Sequence, residues 1–433
     1  MTPELTKGQV AGLAQLAITL AILYCACLVV LGPMVQFSQW YIGPDNNQAA
    51  AEATAWLHDR LDLPERGGDT ALYHGRVYNV FPPLLTIICF IYYGVTNLIY
   101  GEPLAFFTPL YVLVIAAPIP ILAYLAFRRS GAGTYWAAVL AFYAIAGSCL
   151  WPVAARLGGN AAMVDNHRAA WIYSIQHVLA QAGLAIILID LLGRRRLWLA
   201  GVGLIIATWT RQTCLAYCLP ILWVAWDQWR KHGTSASPGR SRRRILLSAA
   251  IPIFIAVALP AGLNWAKFGN PLETGYKYIF DARNPNRPIV LGADGKIHLF
   301  ALGNVPRHAY QMFVAPPGVS LTHQGLRIVG VGPRAALWFG SPLLVFTLID
   351  IRRWWRDSPR RTLMLATIPV IVADLMWHGP IVGSSGYYRY TLDFSLIWLV
   401  VITPWTTRPV RRWIVLACLA WSVFYFYSIT GNP

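Results

Sequence analysis

Acidic side chains are scarce in this chain: 18 Asp and Glu stand against 35 Lys and Arg in 433 residues. Charged residues make up 12% of it, where a soluble globular domain carries roughly 25%. Together with 57% hydrophobic residues and a mean hydropathy of +0.49, that scarcity excludes an ordinary soluble fold. Glycine-rich phosphate loops and dinucleotide-binding patterns are missing too, so no nucleotide-binding domain is expected. The seven cysteines (Cys25, Cys27, Cys89, Cys149, Cys214, Cys218, Cys418) all fall in apolar runs. They read as small buried hydrophobes and not as a disulfide framework or a thiolate metal set. No long low-complexity segment is evident, and no internal repeat of the kind common in transporters.

What is present is a succession of apolar runs of about 18–22 residues, each long enough to cross a hydrocarbon core. The expected fold is an all-α polytopic membrane protein. The first run, Val10 to Leu31, is too long for a signal-peptide core and no small-residue cleavage site follows it, so it is expected to stay as a membrane helix. Later runs are Leu84–Tyr100, Phe106–Phe127, Tyr135–Val153, Trp171–Leu192, Leu197–Thr210, Cys214–Trp226 and Ile245–Ala266, then Ala335–Asp350, Leu363–Trp377, Tyr390–Pro404 and Trp413–Tyr427. Two polar segments interrupt them. Gln36–Phe81 holds six of the 18 acidic residues, and Lys267–Pro333 is the second. Within the first, Asp45–Leu61 reads as an amphipathic helix, with Ala53, Trp56, Leu57 and Leu61 on one face and Glu52, Asp59 and Arg60 off it. Within the second, Ile289–Phe300 resembles a β-hairpin around Asp294-Gly295. The chain thus divides into a membrane module 1–266 that includes a first outer loop 33–106, a second outer loop 267–333, and C-terminal membrane helices 334–433.

A net charge of +17 would point to nucleic acid in a soluble protein. Here the basic residues flank the apolar runs, as orientation signals and headgroup contacts do, and no nucleic-acid partner is expected. Basic clusters sit at Arg128-Arg129, Arg194–Arg196, Arg230–Arg244, Arg352–Arg361 and Arg408–Arg412. If Leu84–Tyr100 crosses the membrane, all of these fall opposite Lys7. If it does not, they share its side, which then carries 20 Lys and Arg with 5 Asp and Glu, leaving 15 and 13 elsewhere. The positive-inside rule favours the second arrangement. It gives about 11 transmembrane helices, a cytoplasmic N-terminus, a non-crossing juxtamembrane helix at Leu84–Tyr100, and two large polar loops on the outer face.

The stretch Tyr73–Pro83 leads into that juxtamembrane helix. It reads as a polar, aromatic surface turn, and its Pro82-Pro83 pair can begin a helix but not sit inside one. His74-Gly75-Arg76-Val77-Tyr78-Asn79-Val80-Phe81-Pro82-Pro83 resembles the Gly-x-Tyr-Tyr-x-x-Phe-Pro-Pro signature of GT-C integral-membrane glycosyltransferases that use polyprenyl-phosphate sugars, relatives of protein mannosyltransferases and lipid A aminoarabinose transferases. Thr210-Arg211-Gln212-Thr213 resembles the Arg-Pro-Thr turn of that superfamily, with Gln212 in place of the proline. Asn264–Tyr276 is similar to its Phe-Gly-x-Pro-x-x-x-Gly-Tyr segment, and Gly386-Tyr387-Tyr388-Arg389-Tyr390, followed by Leu392-Asp393-Phe394, to its Gly-x-Arg-Tyr start of a late helix.

The resemblance implies a GT-C-like bundle of a bacterial inner membrane with a periplasmic active site. It implies transfer, with inversion, from a polyprenyl-phosphate-linked sugar to a hydroxyl of a glycan, lipid or protein. Asp45 matches the acidic residue of the first outer loop that would take the acceptor's proton; Asp after Pro44 is equally a good helix N-cap. Asp165 matches a second acidic position that binds metal or acceptor, and is equally a helix cap; with His167 it forms a weak divalent-cation pair, so a cation is open. Arg211, Arg389, Arg76 and Lys267 are candidates for the donor phosphate, since a guanidinium forks onto phosphate oxygens. Arg211 between apolar runs would cost roughly 2.5–3.5 kcal/mol at mid-membrane, which a polar cavity or snorkelling would offset. Arg389, flanked by tyrosines, suits a site mouth or an interfacial belt. Tyr78 would line the donor site, and His74, Glu273, Tyr276 and Tyr388 the acceptor or sugar side. Asp374, alone within a run, is expected to hydrogen-bond a neighbouring helix. Two other readings remain: a transporter or flippase of lipid-linked sugars, and an O-antigen-ligase-like or polymerase enzyme with a pyrophosphate donor.

Overall fold

The structure, a computed structural model, describes residues 7–35, 41–44, 47–65, 70–107, 118–155, 172–231, 238–281, 284–288, 299–322, 325–329, 335–377 and 389–430. It is mostly helical. In chain order the main helices are α1 (Lys7–Val35), α2 (Gln48–Leu57), α3 (Leu84–Tyr100), α4 (Pro118–Arg129), α5 (Thr134–Ala146), α6 (Leu150–Ala155) and α7 (Ile172–Leu191). They continue as α8 (Trp198–Thr208), α9 (Cys218–Lys231), α10 (Pro238–Phe268), α11 (Val305–Phe313), α12 (Ser358–Met376), α13 (Leu392–Val401) and α14 (Pro409–Thr430). Among the described residues four two-stranded antiparallel pairs decorate the bundle: β1 (Tyr41–Ile42) with β4 (Phe106–Phe107), β2 (Thr70–Tyr73) with β3 (Arg76–Asn79), β5 (Phe280–Asp281) with β6 (Asn284–Pro288), and β7 (Gly318–Thr322) with β8 (Gly325–Val329).

Among the described residues two helices, Arg242–Phe268 and Pro409–Ser428, are long and apolar enough to cross a membrane unbroken, fewer than the 11 regular crossings expected. The other runs are shorter or interrupted. Gly147-Ser148 separates α5 from α6, and Ser341-Pro342 breaks the run from Ala335 to Asp350 into single turns. On α10, Ile251, Phe254, Val257 and Trp265 are uncovered, a surface suited to hydrocarbon and not to water. At about 1.5 Å per residue, α10 is about 45 Å long, more than the roughly 30 Å of a hydrocarbon core.

The basic clusters converge on one end of the bundle. Arg360 donates to the Ser130 carbonyl (3.0 Å), Ser130 Oγ to the Val400 carbonyl (2.7 Å), Gln228 to the Arg195 carbonyl (2.7 Å), and Arg353 to the Pro404 carbonyl (3.3 Å). Arg411 stacks on Trp405 and Arg412 on Trp136. Buried Asp190 accepts from the backbone N–H groups of Arg196, Leu197 and Ala200, and so fixes the tight turn into α8.

The opposite end carries the first polar loop. Tyr73–Asn79, expected as a turn, is a β-hairpin: β2 and β3 pair through a two-residue turn at His74-Gly75, both with positive φ (49° and 76°), the geometry that matches strand twist. The amphipathic helix begins at Gln48, not Asp45. Asn47 is its N-cap, with Oδ1 accepting from Ala49 N (3.0 Å) and Ala50 N (3.3 Å), so capping does not fall to Asp45, which lies outside the described residues. Helix α3 starts at Leu84 as the proline pair dictates and ends at Gly101, in the left-handed region with φ 80°. It buries Leu85, Thr86, Cys89, Tyr93 and Thr96 and exposes Ile91, Val95, Leu98 and Ile99. After α3 the chain doubles back along it. Leu104 N donates to Thr96 Oγ1 (3.1 Å), Tyr92 OH to the Ala105 carbonyl (3.4 Å), and β4 then pairs with β1, immediately before α2. The hairpin expected at Asp294-Gly295 lies outside the described residues.

In a cysteine-depleted background, Ala105→Cys and Arg129→Cys should react with a membrane-impermeant maleimide from opposite sides. Labelling of both from one side of intact cells would contradict the arrangement of the two ends.

Candidate functional site

Glu52 organises the loop end. It was expected off the apolar face of its helix, yet it is 1% exposed, because α2 packs on α3 and the hairpin and leaves its polar face no water. Its Oε2 accepts from Asn79 Nδ2 (2.7 Å) and Thr86 Oγ1 (2.7 Å), and its Oε1 forms an ion pair with Lys267. Lys267, at the far end of α10, also donates to the Asn79 carbonyl (3.0 Å). Asn79 Oδ1 in turn accepts from Phe81 N (3.1 Å). One carboxylate therefore joins α2, the hairpin, α3 and α10. Tyr78 and Val80 sit beside it in a small core with Phe268 and Ile279; the rings of Tyr78 and Phe268 meet edge-on at 5.5 Å.

A second buried polar cluster surrounds Arg211. Its Nε and a terminal nitrogen lie 2.9 and 2.7 Å from Asp393 Oδ2, and Asp374 Oδ1 is 3.8 Å away. Asp393 is fully buried. It also accepts from Thr213 Oγ1 (3.1 Å) and lies 3.3 Å from His177 Nδ1, while its backbone carbonyl takes the Tyr217 hydroxyl (2.6 Å). Arg211 and Arg389 both stack on the Tyr390 ring, at 4.9 and 5.2 Å. Asp374 was expected to hydrogen-bond a neighbouring helix; it faces the Arg211 guanidinium just past α8, and its Oδ2 and the Gln176 amide nitrogen are buried with no hydrogen-bond partner among the described residues. Sequence reading missed Glu52 and His177 as members of these clusters, and met Asp393 only in the Leu392-Asp393-Phe394 that follows the fourth motif, not as the partner of Arg211. Nothing in the local pattern around residue 177 or 393 marks a partner so far along the chain.

The two clusters are joined through the Pro82-Pro83 step, where Leu84 N donates to the Trp209 carbonyl (2.9 Å), two residues before Arg211. Among the expected site residues, Tyr78 and Lys267 fall in the first cluster, and Arg211 and Arg389 in the second. Arg76 and His74 are exposed at the hairpin tip, and among the described residues no hydrogen bond or ion pair ties either to a cluster. Glu273 accepts from Gly275 N (3.0 Å) and pairs with Lys277, whose ammonium it holds above its usual pKa range. Tyr276 meets Trp377 edge-on at 5.1 Å. Asp45, Asp165, His167 and Tyr388 lie outside the described residues, and among those described no group of three or more His, Cys, Asp or Glu is gathered for a metal ion.

No protein-family profile matches the chain, and no curated relative is detected by sequence. Two solved structures of the Archaeoglobus fulgidus oligosaccharyltransferase resemble it. The apo form aligns over 95% of this chain and 54% of its own, at 12% identity and a TM-score of 0.47. The AglB complex with an inhibitory peptide and a dolichol-phosphate aligns over 96% and 55%, at the same identity and score. This chain therefore spans about half the length of those proteins.

Removing one partner of a buried pair strands the other charge, so Glu52→Gln and Lys267→Met should each destabilise the protein by about 3–5 kcal/mol. The double variant should lose less than the sum, with a coupling of about 1–3 kcal/mol. Unfolding in detergent across the double-mutant cycle reads this directly; additive losses would mean that the pair is not coupled.

Proposed function

We propose that this chain is an inverting membrane glycosyltransferase of the GT-C type, moving a sugar from a polyprenyl-phosphate donor to the hydroxyl of a glycan, lipid or protein acceptor. One observation carries the reading: the four sequence motifs, far apart in the chain, are laced together by three contacts. Lys267 of the third motif bonds Asn79 of the first, Leu84 bonds Trp209 beside the second, and Arg211 of the second forks onto Asp393 at the fourth. With the basic end in the cytoplasm, the loop end faces the periplasm of a bacterial inner membrane. The return of the chain along α3 to pair with β1 supports a helix that stays at the outer leaflet.

In the proposed reaction Asp45 accepts the proton of the acceptor hydroxyl as its oxygen attacks the anomeric carbon. The bond from that carbon to the phosphate oxygen breaks, the lipid phosphate leaves with the electron pair, and the configuration inverts. Asp165 is the second carboxylate of the loop end, and with His167 the pair to test for a divalent cation. Arg211 and Lys267 already answer carboxylates, so their part is to hold the site together. Arg76 and Arg389 are the residues to test for the developing phosphate charge. Tyr78 shapes the wall behind them, while His74, Glu273, Tyr276 and Tyr388 remain the residues for the acceptor or sugar side.

Intramembrane carboxylates beside an arginine, as at Asp374 and Asp393, are also what a transporter would carry, so the test must separate the two. In proteoliposomes with defined polyprenyl-phosphate sugars, Asp45→Asn should lower transfer by at least about 100-fold. Absence of transfer from every such donor, with lipid flipping that Asp45→Asn retains, would overturn the enzyme reading in favour of transport. Transfer from a polyprenyl pyrophosphate donor alone would favour the ligase or polymerase class.

A further inference from the structure

The basic end holds a groove of about 390 Å³ that none of the preceding chemistry uses. It lies where the start of α8 meets the first turns of α10, walled by Trp198 on one side and by Arg243, Arg244, Leu247 and Ser248 on the other. Its floor is a close approach of two helices. Gly201 packs on Pro252 so tightly that a Cβ there would stand 2.3 Å from the proline's own Cβ. Asp190, by capping the turn before α8, sets Trp198 at the rim, where the indole is half exposed.

Among the described residues no acidic side chain answers the charges of this groove. Arg242 stacks on Trp229 at 4.8 Å, whereas Arg243 and Arg244 are exposed and form no ion pair among the described residues. Several other arginines on this end are engaged, Arg360 with Asp357, Arg353 with Pro404 and Arg411 with Trp405. Two free guanidiniums side by side supply forked donors for a phosphate group. The groove also continues into an apolar track. Leu247, Ile251, Phe254 and Ile255 are spaced at i, i+4, i+7 and i+8 on α10, and all four are exposed. A small soluble anion would leave that track uncovered. An amphiphile fills both parts.

We propose that this groove binds one anionic glycerophospholipid, with its phosphate between Arg243 and Arg244, its glycerol region against Ser248 and Trp198, and an acyl chain along Leu247 to Ile255. The site is independent of the proposed transferase chemistry at the other end. It makes the contact between α8 and α10 sensitive to the composition of the leaflet on the basic side.

Native mass spectrometry of the detergent-solubilised full chain, titrated with phosphatidylglycerol and with phosphatidylcholine, tests this. The first phosphatidylglycerol adduct should form at a concentration at least tenfold below that for phosphatidylcholine. The paired substitution Arg243→Gln/Arg244→Gln should raise the required phosphatidylglycerol concentration at least fivefold. The remote pair Arg352→Gln/Arg356→Gln, with the same change in charge, should leave it unchanged, and excess inorganic phosphate should not compete. Should the paired variant not fold, Ser248→Trp, which fills the groove, carries the same expectation. Unchanged binding in the groove variant overturns the site. Equal loss in the remote pair reduces it to general surface charge. Displacement by inorganic phosphate would make it an anion site with no role for the acyl chain.

Discussion

Arg211 cannot shed its proton, and a helix bundle suited to lipid offers it little water. Everything around it answers that one fixed charge. Asp393 comes from 182 residues further along the chain to make the fork, Asp374 approaches from α12, and His177 from α7 buttresses Asp393. Tyr217 and Thr213 complete the shell from the short 3₁₀ helix that follows Arg211 itself. The register of α7, α12 and α13 is therefore set by electrostatics as much as by apolar packing. An apolar bundle without such a pin has many near-equivalent rotations of each helix; a buried, directional pair singles out one.

The same logic operates a second time at the loop end, with the signs reversed. Glu52 is the isolated charge, and Lys267, Asn79 and Thr86 are recruited to it. Because Lys267 closes the longest helix of the bundle, this pair ties an otherwise peripheral loop to its tallest pillar. The Leu84–Trp209 bond then couples the two pins through a rigid proline pair.

Much of this was legible in the residues. Helix α3 runs over the expected span, because a double proline marks its start and Gly101 its end. The apolar runs around α1, α7, α10 and α14 contain helices, because long apolar stretches have few alternatives. What was not legible has physical causes. Glu52 looked solvated because helical periodicity reports which face is apolar, not whether the polar face is later covered. Asp45 was weighed as a helix cap beside its catalytic reading, and Asn47 holds the cap, since Asp and Asn serve equally and only the first turn's position decides. The hairpin at His74-Gly75 was hidden because His at positive φ is uncommon and the flanking strands are only four residues long. Partners such as Asp393 for Arg211 are set by tertiary packing, and no local spacing encodes them.

The return of the chain after α3 has one more implication. Strand partners lie about 5 Å apart, so β1 and β4 bring residues 41 and 107 to nearly the same point in space. The intervening excursion, with α2, the β2–β3 hairpin and α3, is thus closed on itself like a bead threaded on a string. Within it Glu52, Asn79 and Leu84 stay tied to Lys267 and Trp209, whereas the exposed hairpin tip at His74-Gly75 lies outside those ties. The segment can therefore be rebuilt at that tip, while the pins beneath it keep the bundle in register.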